Sequence, residues 1–199
     1  MKMKKREILI VVAHPDDETI WLGGTLLRTK FKKTILCLCR KNDSDRNARF
    51  RKACEILEAE SHISDLDDSE KGNYKKISSR DIIKRILRVT KGKNYDYLFT
   101  HGENGEYGHR RHIEVHKAVV EMLEKKLLSA KKVFFFSYVK KRGFLHSYAI
   151  CNSNADKLIK LNREQLLMKK NLIRNVYGFK RGGFEEKSSR KIEAFDVKK

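Results

Sequence analysis

The segment Ala13-His14-Pro15-Asp16-Asp17-Glu18 follows directly on the apolar run Ile8-Leu9-Ile10-Val11-Val12. An imidazole and adjacent carboxylates therefore stand where a buried strand must end, which is where open α/β sheets build their sites. A second cluster, Tyr107-Gly108-His109-Arg110-Arg111-His112-Ile113-Glu114-Val115-His116, follows another strand-like segment. At about 100° per residue on a helix, His109, His112 and His116 fall within roughly 60° of one another and can share a face. Two His and one Asp with an open position is the donor set of a catalytic zinc, at which water becomes nucleophilic near neutral pH. The spare carboxylate then has a role as general base.

The bland account of His14 to Glu18 is an acidic turn that caps the following helix. The coincidence with a second histidine cluster after another strand favours a metal site. His116, one turn beyond His112, reads as a packed or supporting histidine. The His112–His116 spacing is that of a zincin helix, but Ile113 stands where that chemistry requires Glu. His62, His101 and His146 read as structural.

The elements that must position these residues alternate. Ile8 to Ala13 reads as a buried strand, Thr19 to Lys30 as a helix and Thr34 to Cys39 as a second buried strand, with Cys37 and Cys39 on a shared face. Phe50, Ala53, Cys54 and Leu57 repeat at helical spacing between Arg46 and Glu60. A short strand near His62 to Leu66 follows, then a helix carrying Ile82, Ile83, Ile86 and Leu87 with Ser78 or Ser79 as its cap. Tyr95 to His101 reads as a fourth strand, and a glycine-punctuated loop leads into a helix whose Val115, Val119, Met122 and Leu123 face inward. Val133 to Tyr138 is a fifth strand, with a sixth over Phe144 to Ile150 at the edge. A last helix spans Arg163 to Val176, with Asn162 and Gln165 in capping-box spacing. The basic tail from Gly178 to Lys199 reads as an irregular arm. Repeated β-α units predict a three-layer, Rossmann-like α/β fold with a mostly parallel sheet and helices on both faces.

The 199 residues fit one domain, 1–199, and a 40% apolar content with one proline suits a folded core. The opening Met1-Lys2-Met3-Lys4-Lys5-Arg6 looks like a signal n-region, but the apolar run after it is short and is broken by His14, Asp16 and Asp17. A cytoplasmic protein is expected, and no other segment approaches the length of a membrane span. Cys37, Cys39, Cys54 and Cys151 lack paired spacing, so zinc-finger and disulfide-framework readings are poor. The net charge of +20 favours an anionic partner without naming one. Its lysines and arginines are dispersed, and no helix-turn-helix, RRM or zinc-finger pattern accompanies them.

His14-Pro15-Asp16-Asp17-Glu18 and Gly108-His109-Arg110-Arg111-His112 resemble the paired motifs of the PIG-L/LmbE-like, zinc-dependent N-acetylglucosaminyl deacetylases. Arg46, Ala53 and Leu57 keep that family's Arg-x2-Glu-x3-Ala-x3-Leu-Gly helix, Leu66-Asp67-Asp68 stands where Leu-Pro-Asp is usual, and Lys169 and Glu193-Ala194-Phe195 also fit. The resemblance implies that His14, Asp17 and His112 hold the metal and that Asp16 is the general base. His109 would stabilise the oxyanion or help the amine leave, with Tyr107 reaching the same oxyanion. Arg46 and Asp68 match positions that contact sugar or aglycone. Arg49 replaces the helix glutamate, Glu58 the glycine, and Arg110-Arg111 the common Pro-Asp.

The expected activity is hydrolysis of the acetamide of an N-acetylglucosamine-type conjugate to free amine and acetate. Zn2+ is the expected metal with Fe2+ the alternative, the substrate is anionic if the surface charge serves it, and a homo-oligomer is left open. Two other readings stand beside it: a basic nucleic-acid or membrane-surface binder with a structural metal, and a metal-dependent phosphoesterase, which would gather more carboxylates.

Overall fold

The computed structural model describes residues 5–68, 75–143 and 147–198. Its elements in chain order are β1 (Glu7–Val12), α1 (Asp17–Arg28), β2 (Lys32–Cys39), α2 (Ser44–Ile56), β3 (Ala59–Leu66), α3 (Ser79–Thr90), β4 (Asn94–Thr100), the short α4 (Gly105–Gly108) and α5 (Arg110–Glu124). After them come β5 (Ser129–Phe136), β6 (Tyr138–Lys141), β7 (Tyr148–Cys151), β8 (Lys157–Lys160), α6 (Arg163–Asn171), α7 (Phe184–Ser188) and β9 (Ile192–Val197).

Period-2 burial builds the centre. Ile8, Ile10 and Val12 of β1 enter one apolar cluster, while Leu9, Val11 and the following Ala13 enter the other. A strand apolar on both sides must be covered on both sides. On the second side α3 buries Ile82, Ile83 and Ile86, each contributing about 1.5–3 kcal/mol. The strand order is β3-β2-β1-β4-β5-β9-β8, parallel from β3 through β5. Because β1 pairs with β2 on one edge and β4 on the other, the loops leaving β1 and β4 open at the point where the winding reverses. That crevice, beyond the strands' carboxyl ends, is where such sheets bind ligands.

Three expectations change. The tail is not an irregular arm: it forms α7 and then β9, which runs antiparallel between β5 and β8. Its pattern is masked by Glu193, a fully buried carboxylate that accepts the Gly24 and Thr25 N–H groups, the Thr25 hydroxyl and Lys169 Nζ. The sixth strand is not an edge of the main sheet, because β7 pairs only with β6 in a separate ribbon; Phe144 to His146 lie outside the described residues. Cys37 and Cys39 do not share a face, since a register shift between them sends each to a different cluster. The last helix keeps its cap and its extent, but its hydrogen bonding widens to a π-helical turn over Leu172–Val176. No helix among the described residues is long and apolar enough to cross a membrane.

Candidate metal centre and active site

The chain leaves β1 through a strained turn. Asp16 has φ 114° and ψ −27°, a left-handed conformation that costs a non-glycine residue about 1–3 kcal/mol. Several bonds hold it there. The Asp16 N–H donates to Glu18 Oε2 at 3.2 Å, and its carbonyl accepts the Thr19 and Ile20 N–H groups at 2.9 and 2.8 Å. Glu18, fully buried, also accepts the Thr19 and Tyr177 hydroxyls. Asp16 and Asp17 are thereby kept buried at the N-terminus of α1, where the helix dipole favours negative charge.

Asp17 divides its oxygens. Oδ1 accepts the Trp21 indole N–H at 3.0 Å, one helical turn along, and Oδ2 accepts the His14 N–H at 2.8 Å. Oδ2 also lies 3.3 Å from His14 Nδ1 and 3.4 Å from His112 Nε2, and those two nitrogens are 3.1 Å apart. Neighbouring donors around a tetrahedral ion with bonds of about 2.0–2.1 Å are separated by about 3.3 Å. The triangle His14, Asp17, His112 therefore fits one face of such a coordination sphere.

Carboxylates hold the outer nitrogens. His14 Nε2 meets Asp68 Oδ1 at 2.9 Å, and His112 Nδ1 meets Glu106 Oε2 at 2.5 Å. This is the outer support that orients metal-binding imidazoles. Glu106 also takes His101 Nδ1 at 3.0 Å, while His101 Nε2 accepts the Ala13 N–H. With both nitrogens engaged, His101 serves as a wall, stacked on His112 at a ring separation of 3.8 Å. Among the described residues, every group of donors close enough to share an ion belongs to this one cluster.

Buried carboxylates set the electrostatics of the cluster. Burial alone would lower the His112 pKa, but the Asp17 and Glu106 carboxylates outweigh it and raise it to about 10. His14 is raised to about 8 against the same burial by Asp17 and Asp68. Burial would raise Asp17, yet His112 and His101 hold it well below the usual carboxylate range. Asp16 is the opposite case. Burial and the Asp17 charge push its carboxyl well above that range, with Arg46 opposing.

The other expected residues gather around this centre in different ways. His109 caps α5, and its ring lies 4.6 Å from that of His14 and 4.5 Å from that of His112. Its nitrogen is within 4.8 Å of theirs. Tyr107 faces His109 and His112 with ring separations of 5.6 Å. Arg46 Nη2 donates to the Pro15 carbonyl at 2.9 Å and lies 3.5 Å from Asp16 Oδ2. Asp68 is turned toward His14 and is clamped from behind by Arg40 at 2.6 Å. His116, one turn beyond His112 on α5, stays outside the donor cluster as a packed histidine: its Nδ1 bonds the His101 carbonyl and its ring packs on Phe135. Arg111 is buried against Glu114 and cannot reach a ligand.

A cleft of about 290 Å³ opens beside the centre, walled by Trp21, Tyr107, Phe179 and Phe184. Its charged lining sets two arginines, Arg40 and Arg46, against four carboxylates, Asp16, Asp17, Asp43 and Glu185, so the positive surface charge of the chain is not focused here. Sequence reasoning passed over Glu106, hidden in a glycine-rich loop, and the aromatic walls from the tail. Trp21 carried a usable signal, since it stands four residues after Asp17 on the same helix.

The family model for PIG-L, GlcNAc-PI de-N-acetylase, matches residues 9–123. The probable N-acetylglucosaminyl-phosphatidylinositol de-N-acetylase of Schizosaccharomyces pombe is 25% identical over 134 residues, covering 62% of this chain and 54% of that protein. The chain spans little more than half the length of the curated relatives it matches, 58% and 54%. Among solved structures, the N,N'-diacetylchitobiose deacetylase of Pyrococcus horikoshii superimposes with TM-score 0.68 at 15% identity, over 98% of this chain and 84% of that one. GalB, the 4-carboxy-2-hydroxymuconate hydratase of Pseudomonas putida KT2440, superimposes with TM-score 0.66 at 14% identity, over 96% and 95%.

Proposed function

The chain belongs to the PIG-L, GlcNAc-PI de-N-acetylase family, and from that premise we propose that it hydrolyses the acetamide of an N-acetylglucosamine-type conjugate, releasing acetate and a free amine. The fold alone does not choose this reaction, because deacetylase and hydratase relatives share it. The observation that carries the reading is the donor triangle of His14, Asp17 and His112 with buried Asp16 beside it.

His14, Asp17 and His112 would hold one divalent ion, zinc by donor chemistry with ferrous iron the alternative. Bound there, the ion supplies Lewis acidity, polarising the amide carbonyl and acidifying water. Asp16 accepts the proton of the attacking water as the C–O bond forms. Burial and the Asp17 charge make it a stronger proton acceptor than a solvated aspartate. His109, at the cleft wall, hydrogen-bonds the oxyanion or delivers a proton to the nitrogen as the C–N bond breaks. Tyr107 sits beside His109 as a second group for that oxyanion.

Arg46 holds Asp16 and the Pro15 carbonyl, and in this reading it fixes the base while its exposed edge meets the sugar. Asp68 orients His14 rather than touching substrate. The excess of carboxylates over arginines in the cleft lining favours a neutral acetamido sugar over an anionic one. The cysteines are free thiols, which supports a reducing, cytoplasmic setting.

The test is acetate release from a panel of N-acetylglucosaminides with varied aglycones, run on protein of measured metal content. Release from at least one member supports the proposal. No release from any member by metal-replete protein overturns it.

A further inference from the structure

Away from the cleft, the C-terminal turn of α1 and residues of β1, β4, β5, β8 and β9 line a second cavity of about 270 Å³. Its floor is aromatic: Phe99 and Phe134 stack with ring centroids 4.8 Å apart, and Phe195 meets Phe99 edge-on at 5.4 Å. Half-buried Phe31 and Tyr97 stack at 5.8 Å to form a wall. The rim is cationic. Arg6, Arg28, Lys132 and Lys157 line the cavity, no carboxylate does, and all four are exposed.

Among the described residues none of these four cations forms an ion pair. Arg6 donates only to the Tyr97 hydroxyl at 2.9 Å, with its guanidinium over the Phe31 ring. Asp156, next to Lys157, is engaged by the Val197 N–H at 2.9 Å. This contrasts with the metal cleft, where each arginine faces a carboxylate. A rim of four exposed cations around an apolar floor attracts a molecule with an anionic head and a hydrocarbon body.

The geometry points to a binding site for a free single-chain acyl carboxylate, its chain along Phe31, Tyr97 and the exposed edges of Phe99 and Phe134 and its head among Arg28, Lys132 and Lys157. A volume near the lower end of small-molecule pockets suits one unbranched chain and not a folded segment. A second copy of this chain is a poor occupant, because like-charged rims would face each other across the contact. The site lies at the opposite end of α1 from the metal centre, a helix of twelve residues, about 18 Å long. It is therefore independent of the proposed deacetylase chemistry.

The test is calorimetric titration of the full chain with decanoate below its micelle concentration, beside decanol, acetate and vesicles of anionic phospholipid. Decanoate should bind one site saturably, and decanol and acetate should each bind at least about tenfold more weakly. The exposed double variant Lys132→Glu/Lys157→Glu should weaken decanoate by about tenfold or more, and Phe31→Ser should weaken it independently. Circular dichroism of each variant verifies the fold. Absence of saturable decanoate binding overturns the assignment, as does binding that ignores these variants but is lost in Asp17→Asn, which would place the carboxylate at the metal centre. Vesicle binding without decanoate binding also overturns it, in favour of a membrane-facing surface.

Discussion

His14 Nδ1 and His112 Nε2 lie 3.1 Å apart although 98 residues separate them in the chain. The outer nitrogen of each ring already faces a carboxylate, Asp68 for His14 and Glu106 for His112. If both outer nitrogens donate, both inner nitrogens present lone pairs to each other and to Asp17 Oδ2. Lone pairs converging at this distance repel unless a proton or a metal ion lies between them. In the proposed reading the carboxylates orient both rings toward Asp17, and a bound ion would take the place of the protons the cluster shares.

Removing a ligand should remove the ion. His14→Ala and His112→Ala should each lose stoichiometric metal by elemental analysis after dialysis, and Asp68→Asn should keep the ligands but weaken metal affinity by roughly 10–100-fold. Full metal occupancy in both alanine variants would show that the triangle is not the binding site.

Catalysis should separate from metal binding at Asp16 and His109. Asp16→Asn preserves shape and removes the base, so turnover should fall by roughly 10²–10⁴ with metal retained. His109→Ala should lose roughly 10²–10³ in turnover, also with metal retained. A metal-free His109→Ala protein would instead make this residue a ligand, an alternative that its proximity to His14 and His112 keeps open to test.

How much of this was legible follows from where the signals sit. The strand ending at Val12 and the histidine-carboxylate pair after it are local, and a doubly buried strand announces itself by composition alone. The Tyr107–His116 segment was legible as chemistry but only partly as geometry: His109 caps the helix instead of joining it, and His116 bonds the His101 carbonyl outside the donor cluster. The support of the site was not legible, because Glu106 bonds His112 six residues on, across the kink between α4 and α5, and Tyr177 reaches Glu18 across 159 residues. β9 was lost for a similar reason, since the burial of Glu193 depends on partners in α1 and α6 that no local pattern reveals.

The buried pair that ties the tail to the core carries its own expectation. Lys169 and Glu193 are both fully buried and lie 2.7 Å apart. Lys169→Met leaves the carboxylate without its counter-charge and should cost about 3–5 kcal/mol in urea unfolding. A loss under about 1 kcal/mol would mean that the amide and hydroxyl donors of Gly24 and Thr25 satisfy Glu193 alone.

Glu58 stands where the family helix motif ends in glycine, yet its backbone keeps the left-handed conformation, with φ 53°. An L-residue there is strained by about 1–2 kcal/mol, and glycine offsets part of that relief through its unfolded-state entropy. Glu58→Gly should therefore raise stability by about 1 kcal/mol, read as a higher urea midpoint at unchanged slope. Destabilisation would show that the Glu58 side chain contributes more than its backbone costs.

The most direct measurement pairs metal content with acetate release for the unmodified chain, Asp16→Asn and His112→Ala on the best acetamido sugar of the panel. The account predicts metal and turnover in the first, metal without turnover in the second, and neither in the third. Equal turnover in all three, or turnover that survives complete removal of metal, would contradict it.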